Sequence, residues 1–155
     1  MNIAINGFGR IGRSVYRILS SNTEHKIAAI NDLSNPDALA YLLKHDTVMG
    51  NFPGEVSFED GFLSTPGQNV ELFNERDPGS LPWDAKDIDI VIESTGVFRE
   101  KKQLEKHLNA GASKVILTVP SKDEIDYTIV IGVNEEGLNE SHNIVSNASC
   151  TTNCL

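Results

Sequence analysis

Two short stretches of this chain carry residues whose types and spacing could do chemistry. One is "SNASCTTNCL" at 146–155, which sets both cysteines, Cys150 and Cys154, among small polar residues. The other is Gly7-Phe8-Gly9-Arg10-Ile11-Gly12, a G-x-G-x-x-G pattern, with Asp32 about 20 residues further on. A Cys-x-x-x-Cys pair alone makes a poor tetrahedral zinc site, because His25, His45, His107 and His142 are widely scattered and no second pair of ligands accompanies it. A disulfide between positions i and i+4 of one helix would be strained. Two readings of Cys150 stay open: a small packed thiol, or a nucleophile at a helix start. Asn147 or Ser149 can cap a helix that begins at Cys150, where free N–H groups and the helix dipole favour a thiolate. Cys154, one turn further in, reads as a small buried thiol.

Glycine is common, so the glycine pattern is weak until its surroundings are considered. It follows a short apolar run, opens a helical pattern, and is answered by an acidic residue at the end of a second apolar run. Together these mark a dinucleotide site. Gly7 serves the tight turn, Gly9 lets the backbone approach a pyrophosphate, and Gly12 allows the helix to pack on the strand. The anion would rest on free N–H groups at the helix start. Asp32 would accept from the adenosine ribose hydroxyls and repel a 2′-phosphate, which favours NAD over NADP. The plainer alternative is a glycine turn with no ligand and an Asp that ends a strand; three coinciding features weigh against it. Loops after later strands should line the same crevice, which makes Thr95 and Gly96 of "ESTG" and Thr118 of "TVPS" candidates near the nicotinamide half. Beside such a crevice, a nucleophilic Cys150 becomes the sharper of its two readings.

The elements that must hold these residues follow from periodicity. Residues 2–6 read as a strand, 10–20 as a helix and 26–32 as a second strand, which is one βαβ unit. Pro36 opens a helix through residue 44, with Ser34 or Asn35 as its cap. Between 46 and 73 the period changes to two, with a hairpin signal at Asp60-Gly61 and "NVELF" after Pro66-Gly67, an antiparallel insertion. Strand, helix and strand return at 87–93, 100–110 and 114–119, and "TIVIGV" and "NIVSN" are both β-rich. The predicted class is α/β: a Rossmann-type doubly wound, mostly parallel sheet with a small antiparallel insertion. "PGSLP" at 78–82 reads as a surface loop, and no linker divides the chain.

The 155 residues suit one domain, and 39% hydrophobic with 23% charged residues is a globular composition. Thirteen Lys and Arg against 22 Asp and Glu give a net charge of −9, so a phosphate backbone would be repelled; nucleic acid is not an expected partner. Lys101, Lys102 and Lys106, interleaved with Glu100 and Glu105, read as a solvated helix face. The N-terminus lacks the pattern of a signal peptide, and no apolar run approaches the roughly 20 residues that cross a bilayer. A cytoplasmic protein without a membrane partner is expected, in keeping with two cysteines too close together to staple a fold.

"INGFGRIGR" at 5–13, "AIND" at 29–32, "LLKHDTVMGNF" at 42–52, "ERDP" at 75–78, "ESTGVF" at 93–98, "GVN" at 132–134 and "SNASCTTNC" at 146–154 together resemble the glyceraldehyde-3-phosphate dehydrogenase family. The cysteine motif is shared with its relative, erythrose-4-phosphate dehydrogenase, whereas "IND" and "STG" look more like the glyceraldehyde enzyme. Met49 and Asn51 stand where the family usually has His and a basic residue. The resemblance implies that Arg10 and Ile11 present N–H groups to the pyrophosphate, that Asp32 holds the adenosine ribose and that Arg76 lies by the adenine. Thr118 falls where a serine is common near the nicotinamide. Cys150 matches the nucleophile, and Ser149 and Thr151 match residues that bind phosphate beside it. It further implies a phosphorylated aldehyde and inorganic phosphate as substrates, NAD as cofactor and a homotetrameric parent. Residues 1–155 would be the NAD-binding domain. The base histidine, the catalytic domain and a final helix covering part of the sheet would lie outside this chain, which alone would bind NAD without turnover. The alternatives are an erythrose-4-phosphate or semialdehyde dehydrogenase fragment, and a non-catalytic NAD-binding or redox-sensing module.

Overall fold

The computed structural model describes residues 1–21 and 24–155. Three apolar residues between two asparagines, Asn2–Asn6, form β1, and their alternation decides what lies on each face of the sheet. Ile3 and Ile5 join one core cluster with Tyr16, Ile27, Ile30, Leu39 and Leu43. Ala4 points the other way, toward Ala29, Leu81, Trp83 and Val91. A strand buried on both faces is what a parallel sheet between two layers requires. Each fully buried Ile contributes about 2 kcal/mol of transfer free energy.

From β1 the chain passes through α1 (Arg10–Ser20) to β2 (Lys26–Asn31) and α2 (Pro36–Lys44), whose cap Asn35 accepts from Ala38 N–H at 3.0 Å. Asp60 and Gly61, both at positive φ, turn β3 (Ser57–Glu59) into β4 (Phe62–Thr65), the predicted hairpin. β5 (Gln68–Phe73) pairs antiparallel with β4 but parallel with β2, so the insertion is continuous with the main sheet. β6 (Ile90–Glu93), α3 (Lys101–Asn109), β7 (Lys114–Leu117), β8 (Tyr127–Thr128), β9 (Ile144–Ser146) and α4 (Cys150–Cys154) complete the order.

Among the described residues nine strands run β3-β4-β5-β2-β1-β6-β7-β9-β8 across one sheet. Chain progress leaves β1 on one side toward β2 and resumes on the other with β6. The carboxyl ends of β1 and β6 therefore flank the topological switch point, where open α/β sheets bind ligands.

Residues 129–134 depart from the β-rich reading of "TIVIGV". The Asn134 side chain accepts from Val130 N–H at 2.7 Å and donates to Thr128 O at 3.0 Å, and Gly132 has φ +88°. That turn takes the backbone groups a strand would have used, and leaves Ile131 and Val133 exposed. α3 covers one face of β7 and β9. The opposite face near α1 is an apolar hollow of about 450 Å³ lined by Ile90, Ile92, Ile116, Ile129, Ile131 and Leu138.

Candidate functional site

At the switch point lies a cleft of about 330 Å³, walled by Gly7 and Gly9 after β1, Asp32 after β2, Arg76 after β5 and Thr95 after β6. Each of the three turn glycines has its own geometric reason. Gly7 has φ +92°, and a Cβ there would stand 2.5 Å from the backbone nitrogen of Thr95. A Cβ on Gly12 would stand 2.1 Å from Gly7 O and 3.1 Å from the Ile5 side chain. At Gly9 nothing lies within 4 Å, so its backbone faces the open cleft. Gly9 is also the N-cap of α1, and no side chain caps this helix or puts an acidic group in its first turn. The N–H groups at the start of α1, on Arg10 and Ile11, have no intrahelical acceptor and favour an anion.

Asp32, half-buried in the cleft wall, accepts Phe8 N–H at 2.6 Å through Oδ2 and Ser34 N–H at 2.8 Å through Oδ1. Each carboxylate oxygen keeps a second lone pair for a hydroxyl donor. Arg13 Nη1 donates to Phe8 O at 2.9 Å, so the peptide groups on both sides of Phe8 are held. Burial draws the Arg13 guanidinium below its ordinary value, against the opposing pull of Asp46 and Asp32. Free donors at a helix start, an uncrowded glycine and an acceptor beyond them fit the pyrophosphate and ribose of a dinucleotide.

Thr95 donates its N–H to Glu93 Oε1 at 2.9 Å, and its hydroxyl bonds the same oxygen. Gly96 is exposed at φ +73° and does not wall the cleft. Thr118 lies at the end of β7 with its hydroxyl donating to Glu93 O at 3.1 Å; it borders the apolar hollow instead. Asn6, Asn31, Glu75, Ser94 and the apolar Leu33, Val97 and Phe98 complete the walls, and spacing singles out none of them. Asn6 and Asn31 do carry a readable signal, a polar residue closing an apolar strand.

Cys150 is the first residue of α4, after the carboxyl end of β9 on the same sheet edge as the cleft. Ser149 is its cap: Oγ accepts Thr152 N–H at 3.0 Å and lies 3.0 Å from Thr151 Oγ1 and 2.7 Å from Thr152 Oγ1. Thr151 is exposed, and so are both thiols. Cys154 thus departs from the buried packing role its helical position suggested: α4 has no buried residue. Among the described residues no group of three or more His, Cys, Asp and Glu is placed to hold a metal ion, and no helix is long and apolar enough to cross a membrane.

A family model described as "Glyceraldehyde 3-phosphate dehydrogenase, NAD binding domain" matches residues 1–101. Glyceraldehyde-3-phosphate dehydrogenase of Thermotoga maritima is 52% identical over 155 residues, covering 99% of this chain and 46% of the relative. Glyceraldehyde-3-phosphate dehydrogenase 1 of Bacillus cereus is 49% identical over 154 residues, again 99% of this chain and 46% of the relative. The enzyme of the same name in Bacillus subtilis is 47% identical over 156 residues, the whole of this chain and 46% of its own length. The chain spans about half the length of these curated relatives.

Proposed function

Since the chain belongs to the glyceraldehyde-3-phosphate dehydrogenase family, as an NAD-binding domain with NAD as its cofactor, we propose that it is the cofactor half of a phosphorylating aldehyde dehydrogenase. The parent oxidises glyceraldehyde 3-phosphate with inorganic phosphate to 1,3-bisphosphoglycerate. The observation that carries this reading is the placement of Cys150 at the start of a Ser149-capped helix, on the sheet edge that also holds the cleft.

Arg10 and Ile11 would offer N–H groups to the pyrophosphate, Asp32 would accept from the ribose of the adenosine half, and Arg76 would flank the adenine. Bound NAD⁺ supplies the acceptor for a hydride. The Cys150 thiolate sulfur bonds to the aldehyde carbon as the carbonyl π bond opens and its oxygen takes a proton, giving a thiohemiacetal. Oxidation of that adduct would pass its C–H hydrogen as hydride to the acceptor that NAD⁺ supplies and its hydroxyl proton to a base of the parent, leaving a thioester on Cys150. Phosphate oxygen then attacks the acyl carbon, the C–S bond breaks, and the acyl phosphate leaves with the thiolate restored. The Cys150 N–H is a donor for the oxyanion, and Ser149 and Thr151 offer hydroxyls to the attacking phosphate. Residues of the parent outside this chain supply the base histidine and the substrate domain. The apolar hollow on β6, β7 and β9 supports further chain packing there, because a parallel sheet ordinarily has both faces covered.

In the full-length parent, Cys150→Ser should abolish phosphate-dependent NADH formation while NAD binding persists, and the chain alone should bind NAD with little or no turnover. Substantial turnover by the serine variant would remove Cys150 from the chemistry.

A further inference from the structure

Glu93, the last residue of β6, and His107, on α3, are both wholly buried. Every hydrogen bond to the Glu93 carboxylate runs toward it, and the directions are fixed from three ends. Trp83 Nε1–H can only donate, and it meets His107 Nδ1 at 3.0 Å. That nitrogen therefore accepts, so the ring is neutral with its proton on Nε2, which donates to Glu93 Oε2 at 3.0 Å. From the second end, the backbone N–H of Glu75 donates to Asn31 Oδ1 at 2.8 Å. Asn31 Nδ2 then donates to Asn6 Oδ1 at 2.7 Å, and Asn6 Nδ2 to Glu93 Oε2 at 2.5 Å. From the third, the N–H and hydroxyl of Thr95 both donate to Oε1. Four donors thus fill the acceptor capacity of one carboxylate.

Asn6, Asn31, Glu75 and Thr95 each wall the cleft, whereas Glu93, His107 and Trp83 do not. We propose that Glu93 is a positioning residue of the NAD site: its buried carboxylate draws the last residues of β1 and β2 and the segments after β5 and β6 into one ligand-ready arrangement and couples cleft occupancy to the Trp83–His107 pair. The proposal rests on the cleft being the NAD site. A glutamine at position 93 would have the same shape but not the same capacity. With its amide nitrogen at the Oε2 position, it faces the fixed donors of Asn6 and His107. At the Oε1 position it faces the backbone N–H of Thr95. Either way a buried donor loses its acceptor.

The test compares NAD binding by calorimetry in the wild-type chain, Glu93→Gln and Trp83→Phe, with the indole N–H signal of Trp83, the only tryptophan, followed by NMR during the titration. Glu93→Gln should weaken NAD binding about tenfold or more, whereas Trp83→Phe, which breaks the relay beyond Glu93, should stay within about threefold while lowering the melting temperature. The wild-type Trp83 indole signal should move in step with the Gly9 and Thr95 amides, and the His107 ring should carry its proton on Nε2. Wild-type affinity in Glu93→Gln, an equal loss in Trp83→Phe, a proton on Nδ1, or a stationary indole signal while the cleft amides move would each overturn the proposal. If Glu93→Gln does not fold, the two wild-type NMR readings decide. Failure of the wild-type chain to bind NAD would instead remove the cofactor reading beneath it.

Discussion

The carboxylate of Asp32 accepts the backbone N–H of Phe8 at 2.6 Å, so the end of β2 holds the glycine turn that follows β1. The acidic residue thereby has two tasks. It shapes the turn whose open N–H groups suit an anion, and on the proposed reading its remaining lone pairs would accept from a ribose hydroxyl in the cleft it lines. A residue that would discriminate between cofactors is at the same time part of the local fold.

Asp32→Ala should therefore show two separable losses. NAD affinity should fall by roughly tenfold or more, and the preference for NAD over NADP should narrow, because the charge that repels a 2′-phosphate is gone. Stability should fall by about 1–2 kcal/mol as the N–H groups of Phe8 and Ser34 lose their acceptor. Calorimetric titration with both cofactors and urea unfolding read the two effects independently. A loss of stability with unchanged cofactor preference would leave only the structural task.

The three turn glycines should respond differently to alanine. At Gly12 the new methyl meets Gly7 O at 2.1 Å, and at Gly7 it meets Thr95 N at 2.5 Å with the backbone at φ +92°. Each should cost about 2 kcal/mol or more, read from denaturant midpoints. Gly9→Ala, with open space around its Cβ, should stay within about 0.5 kcal/mol of wild type yet bind NAD about tenfold more weakly, because the methyl stands where the pyrophosphate must approach. Undiminished affinity in Gly9→Ala would move the pyrophosphate elsewhere.

The sequence legibly specifies the elements whose signals are local. The alternation of Ile3, Ala4 and Ile5, the Asn35-Pro36 helix start and the Asp60-Gly61 turn all lead to the observed strand, helix and hairpin. Gly7, Gly9, Asp32 and Thr95 could be grouped in advance, since strand order and sheet edge follow from the βαβ rhythm; Arg76 joined them only through the family resemblance, and one cleft holds all five. The Glu93–His107 contact could not. A glutamate closing an apolar run and a histidine inside a charged helix both look solvent-facing, and only the packing of α3 under the sheet buries them against each other. Residues 129–134 have strand-like side chains, but the preference of Asn134 for backbone partners overrides that propensity. Lys101 and Lys106 read as solvated charges, yet each meets an aspartate from another segment, Asp126 and Asp77, at 2.9 Å.

The Lys101–Asp126 contact gives a pH-dependent prediction. Asp126 accepts from Lys101 Nζ at 2.9 Å through Oδ1, and from the N–H groups of Asn143 and Ile144 at 2.9 and 3.0 Å through Oδ2. It therefore pins the start of α3 to the start of β9, the strand that leads to Cys150. Burial pushes the Asp126 carboxyl upward, but the Lys101 bond and the two N–H donors outweigh it, and the group lies below the ordinary aspartate value. The hydrogen bond to Asp126 holds the Lys101 ammonium above its ordinary value. A lowered acid stabilises the fold above its unfolded value and ceases to do so as pH falls through its folded one. A raised ammonium stabilises below its unfolded value and ceases to do so as pH rises through its folded one. Asp126→Asn should thus lower the melting temperature by about 3–5 °C, with the full difference from about pH 5 to pH 9. The gap should close below about pH 4 and above about pH 10. A gap that is unchanged at pH 2.5 would show that the loss in Asp126→Asn does not come from the charge of Asp126.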